Sequence, residues 1–175
     1  MYIKENLGKT ANLIADIEQQ LRHSQTISLS KQAPLSFQDD LEEFLKEPAR
    51  EHPPVKNYVG DLLKKYGKKR RQGKVDVEYF YSSCNISPGT WYNFQNGKYT
   101  KETLLKIIHG LECNLEEAEK ILDLADYKLS NTHEDRVVRA AIMSGHNNID
   151  DMYVILDYYA KQYPGQVKNY LKDKN

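Results

Sequence analysis

Residues 75–118, VDVEYFYSSCNISPGTWYNFQNGKYTKETLLKIIHGLECNLEEA, repeat one device: a short polar side chain, a few apolar positions at helical spacing, then an abrupt stop. Such a pattern allows only short helices joined by tight turns. Ser87 can cap the free N–H groups of a helix start, and Pro88 stands where its missing N–H and preset φ cost nothing. The spacing therefore predicts a helix over residues 88–96, stopped by Gly97, which takes a left-handed conformation cheaply just past a helix end. A helix this short is unstable alone in water. It must pack on neighbours while displaying Thr90, Trp91, Asn93, Gln95 and Lys98 on its surface. Phe94 is expected to face inward, while Trp91 fits either a buried or an exposed position.

The neighbours are legible on both sides. Val59, Leu62, Leu63 and Tyr66 share a face of a helix ending near Tyr66, and residues 76–83 form a second helix that buries Val77, Phe80 and Cys84. Thr100 caps a helix carrying Leu104, Leu105, Ile107, Ile108 and Leu111, the strongest apolar stripe in the chain and the expected central pillar. Asn114 with Glu117 three residues later is a capping box for the next, with Leu115, Ala118, Ile121, Leu122 and Ala125 inward. Thr132 with Asp135 starts another through about Met143. Asn148 or Asp150 opens the last, which ends near Pro164 with Met152, Ile155, Leu156 and Tyr159 inward. After Gly165 the tail has room for one more helical turn or none.

Ahead of this body, Leu13, Ile14, Ile17 and Leu21 place an amphipathic helix over residues 9–22, and residues 24–36 lack periodicity and read as a linker. A further helix over residues 37–46 is expected, capped by Ser36, with Asp39 and Asp40 in its first turn. These two stripes need a partner, either the main body or a second copy. The division expected is an N-terminal helical extension with linker (1–54), a central domain (55–128) and a C-terminal helical extension (129–175). No segment alternates with period two for long enough to make a strand, so the fold class is all-α.

Charge is distributed unevenly. The chain is neutral overall, with 25 basic and 25 acidic residues. Yet residues 1–54 carry 6 basic and 9 acidic side chains (−3), residues 55–110 carry 11 and 4 (+7), and residues 111–175 carry 8 and 12 (−4). The positive charge falls where the short helices fall, which points to a polyanionic partner, a solvated basic surface being the bland alternative. No apolar run approaches the roughly 20 residues a bilayer span needs, and MYIKENLGKT lacks a secretory signal pattern. A cytoplasmic location is expected, with no membrane partner. Cys84 and Cys113 fall at inward positions and are expected to be reduced core residues.

The apolar positions of residues 76–83, the turn and short helix ISPGTWYNFQNGK, and TLLKIIHGLECNLEEAEKIL together resemble the helix-turn-helix family of Cro and lambda-repressor type, over residues 59–124. ADYKLSNTHEDRVVRAAI is similar to a bacterial and phage subgroup in which two more helices follow. The chain departs from the family in a shorter loop at residues 97–100, a longer and more basic loop GKKRRQGK, and a short helix without arginine. The resemblance implies a five-helix helix-turn-helix domain with the N-terminal extension and two additional C-terminal helices. It implies a sequence-specific transcriptional regulator binding double-stranded DNA, with Ser87, Thr90, Asn93 and Gln95 toward the major groove, where amides pair with adenine and hydroxyls with bases or phosphates. Lys68, Lys69, Arg70, Arg71, Lys74, Lys98 and Lys101 would neutralise phosphates. A homodimer is expected, because one short helix supplies few base contacts and two half-sites double them.

Other chemistry is weakly represented. His23, His52, His109, His133 and His146 are widely spaced, and none pairs at i, i+4 with a glutamate as a zinc protease site needs. Cys84 and Cys113 lack the paired spacing of structural zinc. RRQGKVD is not a phosphate-cradling loop. His133, Glu134 and Asp135 open a helix, where capping and dipole compensation explain them. No catalytic residue, metal or cofactor is expected. Two rivals remain: a protein-binding module on the same scaffold, such as an antitoxin or phage-encoded inhibitor, and an RNA-binding regulator stacking bases on Trp91, Tyr92 and Tyr99.

Overall fold

Six successive helices begin in the same way, and this repetition organises the chain. A computed structural model of the protein describes residues 2–27, 55–71 and 73–172, all of it helix and connection, with no strand among the described residues. The helices are α1 (Tyr2–Ile27), α2 (Val55–Tyr66), α3 (Val77–Ser83), α4 (Pro88–Gln95), α5 (Lys101–Gly110), α6 (Leu115–Asp123), α7 (His133–Met143) and α8 (Ile149–Gln162). The side chains of Asp76, Ser87, Thr100, Asn114, Thr132 and Asn148 each accept a hydrogen bond from the backbone N–H three residues on, opening α3 to α8. Each such cap is worth about 1 kcal/mol. At Asn114 the box is complete, with the Glu117 carboxylate receiving the Asn114 N–H.

The stops are as regular as the starts. Asn85, Gly97, Glu112, Asp126 and Gly145 have φ of 54°, 75°, 51°, 58° and 76°, and each follows a helix whose last carbonyls accept two bonds in the 6→1 and 5→2 pattern. Ile86 N–H to Tyr81 O with Asn85 N–H to Ser82 O is one instance; Lys98 N–H to Asn93 O with Gly97 N–H to Phe94 O is another. Three of the five left-handed residues carry side chains.

The core is continuous. It runs from Leu13, Ile14 and Ile17 of α1 through every helix to Val167, Tyr170 and Leu171 of the tail. Helix α5 stands in the middle, packed on α3, α6 and α8, with Leu104, Leu105, Ile107 and Ile108 fully buried. Each such side chain contributes about 1.5–3 kcal/mol through removal from water. Cys84 and Cys113 are buried and unbonded. Gly110 lies so close to α3 that an added Cβ would stand 2.0 Å from the Cys84 sulfur.

Several expectations are corrected. Helix α1 runs from Tyr2 to Ile27 rather than over residues 9–22, so part of the expected linker is helical. Its stripe, described from Thr10 to His23, is covered by α7 and α8 of the same chain. Asp16 reinforces that seam by meeting His146 at 3.1 Å. Val77 is 36% exposed rather than buried, whereas Phe80 and Cys84 are buried and lie against Gly110 of α5. Tyr66, expected inward, is 45% exposed and reaches sideways, its hydroxyl donating to Glu117 at 2.8 Å. Of the two alternatives for the tail, the described residues 165–172 take the one without a helix and form turns. The helix expected over residues 37–46 lies outside the described residues.

Candidate nucleic-acid interface

Helix α4 is held by aromatic rings. Trp91 and Phe94 are both buried, and Trp91 lies edge-on to Phe80 (5.7 Å), stacked with Tyr81 (6.0 Å) and beside Phe94 (5.2 Å); Phe94 in turn meets Tyr99 at 5.9 Å. The alternative left open for Trp91 is thereby decided. Five rings spread over α3, α4 and the following loop fix the helix by its inner face, each pair adding about 0.5–1.5 kcal/mol beyond burial. The turn between α3 and α4 is only Cys84, Asn85, Ile86 and Ser87, with Ile86 buried beneath it.

The outer face is polar. Ser87, Tyr92, Asn93, Asn96 and Lys98 are exposed, Thr90 and Gln95 half-buried. Ser87 is committed to the cap, accepting from the Thr90 N–H at 3.1 Å and meeting the Thr90 hydroxyl at 2.9 Å. Ser87 and Thr90 are thus brought together as a hydroxyl pair at the helix N-terminus. Asn93 projects an amide without a hydrogen bond among the described residues, and beside it Tyr92 is 70% exposed.

The cations divide into three groups. Lys68, Lys69, Arg70, Arg71 and Lys74 are all exposed on a small hairpin before α3, closed by an antiparallel bridge between Lys69 and Val75 and by Arg70 N–H to Lys74 O at 2.8 Å. Arg70 there contacts Asp76 (2.9 Å) and Glu78 (3.5 Å), and its hydrogen bond holds the Asp76 carboxyl below the usual carboxylate range. Lys68 lies 4.0 Å over the Tyr79 ring. Lys98 is exposed just past α4. Lys101 is differently placed: its ammonium meets the buried Asp135 at 2.6 Å and is drawn into the body. Burial works against the charge on Asp135, but hydrogen bonds from Lys101 and Ser130 outweigh it and hold the carboxyl below its ordinary range. A cation so engaged is poorly placed to neutralise a phosphate.

Two lysines that the local pattern did not single out stand at the ends of α4. Lys56 of α2 donates to the Gln95 carbonyl at 3.3 Å, where the helix dipole favours a cation, and Lys106 of α5 donates to the Asn85 carbonyl at 2.8 Å. Neither is near α4 in sequence, so only tertiary packing could place them. The tail also reaches this region. Asn85 donates its amide to Leu171 O at 2.8 Å, and Tyr170 meets the Nε2 of the fully buried His109 at 2.7 Å, while His109 Nδ1 faces Asn147 O at 3.2 Å. Burial pushes the His109 pKa down to about 4, so the ring is neutral: Nδ1–H donates to the carbonyl and Nε2 accepts from the phenol.

Among the described residues no group of three or more His, Cys, Asp or Glu is placed to hold a metal ion, and no helix is long and apolar enough to cross a membrane. Comparison with protein-family models, with curated proteins and with solved structures returns no match.

Proposed function

We propose that this chain is a sequence-specific DNA-binding regulator in which α3, the four-residue turn and α4 act as a helix-turn-helix and α4 enters the major groove. The observation that carries the reading is the two-sidedness of α4: Trp91 and Phe94 sealed inside, Ser87, Asn93 and Lys98 outside, on a helix capped at both ends. Rigid presentation is what groove reading requires, since a side chain held in place loses little entropy on pairing. Asn93 is the residue best placed to pair bidentately with an adenine. Ser87 and Thr90, at the helix N-terminus, suit a phosphate or a base edge. Lys98, Lys56 and the hairpin cations Lys68, Lys69, Arg70, Arg71 and Lys74 supply backbone contacts, whereas Lys101 serves the body. A dimer would present two such helices to half-sites of an inverted repeat.

The experiment is selection of bound sites from a random duplex pool with the full chain, followed by salt titration. An inverted repeat, with affinity falling steeply between about 50 and 200 mM salt, supports the reading. No enrichment and no binding at low salt overturns it. Asn93→Ala should relax preference at one base pair, and charge removal at Arg70 and Arg71 together should weaken all sequences and flatten the salt slope by about 0.9 per lost phosphate contact. A second reading is favoured by one observation: Tyr92 sits mid-helix at 70% exposure, and an exposed aromatic ring suits a protein partner. The low-salt arm separates the two.

A further inference from the structure

A cavity of about 310 Å³ opens between α1, α7 and α8, far in sequence from α4. Leu21 and Val137 give it apolar walls, and the rings of His133 and Tyr163, 4.7 Å apart, give it a flat one. Two observations show that its polar groups are not accounted for among the described residues. Tyr159 lines the cavity at 4% exposure, and its Oη is buried without a hydrogen-bond partner, the one such side-chain atom among the described residues. An unpaired buried hydroxyl costs about 1–3 kcal/mol and calls for an explanation. Arg136 lines the same cavity half-buried, with no ion pair or hydrogen bond from its guanidinium among the described residues. The other charges there, Glu18 and Arg22, face each other at 3.6 Å and offset one another. Arg136 is therefore the excess positive charge.

We propose that this cavity is a binding site for a small aromatic carboxylate, its carboxylate forked by Arg136 and hydrogen-bonded by the Tyr159 hydroxyl, its ring against His133 and Tyr163. A guanidinium matches a carboxylate bidentately, a phenol supplies the additional donor, and the volume suits a compact ring. Burial first, and the Glu18 carboxylate second, push the Tyr159 phenol up, so it remains a donor at neutral pH. The proposal stands whether or not α4 reads nucleic acid.

The test is calorimetric titration of the full chain with benzoate, with acetate and inorganic phosphate as comparisons, alongside thermal melting. Benzoate should bind and raise the melting temperature, acetate and phosphate much less. Arg136→Met should weaken benzoate by about tenfold or more, and Arg136→Lys, which keeps the charge and loses the fork, by less. Tyr159→Phe should also weaken benzoate while leaving the unliganded melting temperature equal or higher, because it removes a hydroxyl that has no partner among the described residues. That combination is not produced by a structural role. Absence of benzoate binding, phosphate binding as tight as benzoate, wild-type affinity in Arg136→Met and Tyr159→Phe, or a lower unliganded melting temperature in Tyr159→Phe would each overturn the proposal.

Discussion

His109 makes the stability of this protein depend on pH in a calculable way. The ring is fully buried between α5, the Asn147 carbonyl and the Tyr170 phenol, and burial lowers its pKa from 6.5 to about 4. In the unfolded chain the imidazole takes a proton near its ordinary value, whereas in the folded protein it resists until about 4. Because the folded value is the lower one, acid favours the unfolded state. Stability from this group is complete above about pH 6.5, falls as pH drops toward 4, and changes no further below that. The difference of about 2.5 pKa units, at 1.36 kcal/mol per unit, amounts to about 3 kcal/mol. His109→Gln supplies the control, since its amide can donate to Asn147 O and accept from Tyr170 but does not titrate. Urea unfolding followed by the fluorescence of Trp91, the sole tryptophan, gives stability for both proteins at pH 7.5, 5.5 and 4. Distant carboxylates titrate alike in both and cancel. The advantage of the wild type over His109→Gln should shrink by about 3 kcal/mol across that range. Curves that stay parallel would refute the argument and mean that the imidazole titrates in the folded protein as it does in the unfolded chain.

Gly110→Ala should cost about 1–3 kcal/mol, read as a lower melting temperature, because its Cβ would stand 2.0 Å from the Cys84 sulfur; adding Cys84→Ala should recover part of the loss. Glu112→Gly and Asp126→Gly should each stabilise by about 0.5–1 kcal/mol in urea titrations, since both hold positive φ behind a helix end. Asp135→Ala should cost about 2 kcal/mol or more by leaving the Lys101 ammonium and Ser130 N–H without their acceptor. As the Asp135 carboxyl is held below its ordinary range, its contribution is present at neutral pH and is lost in acid, so the gap to Asp135→Ala should close there.

Helix starts were legible because a cap is a local event. Ser87, Thr100, Asn114 and Thr132 announced themselves by a short polar side chain ahead of an apolar run, and each caps as expected. The stop at Gly97 was legible for the same reason; those at Glu112 and Asp126 were not, since Glu rarely takes positive φ and Asp does so only occasionally. Within the candidate interface, the polar residues of α4 follow from periodicity. Lys56 and Lys106 at its ends do not, nor does the removal of Lys101 into the body by Asp135 of α7.

By itself the order of residues determined that this chain is helical, where most helices begin, and which stripes must be covered, because capping and amphipathic spacing act within a few residues. Tertiary structure decided what covers them. The stripe of α1 could have met a second copy and instead meets α7 and α8; Trp91 could have faced water and is instead closed in by Phe80, Tyr81 and Phe94; and His109, unremarkable in the sequence, becomes a neutral buried anchor for the tail. Each depends on packing between separate elements, where burial and desolvation, not local propensity, set the outcome.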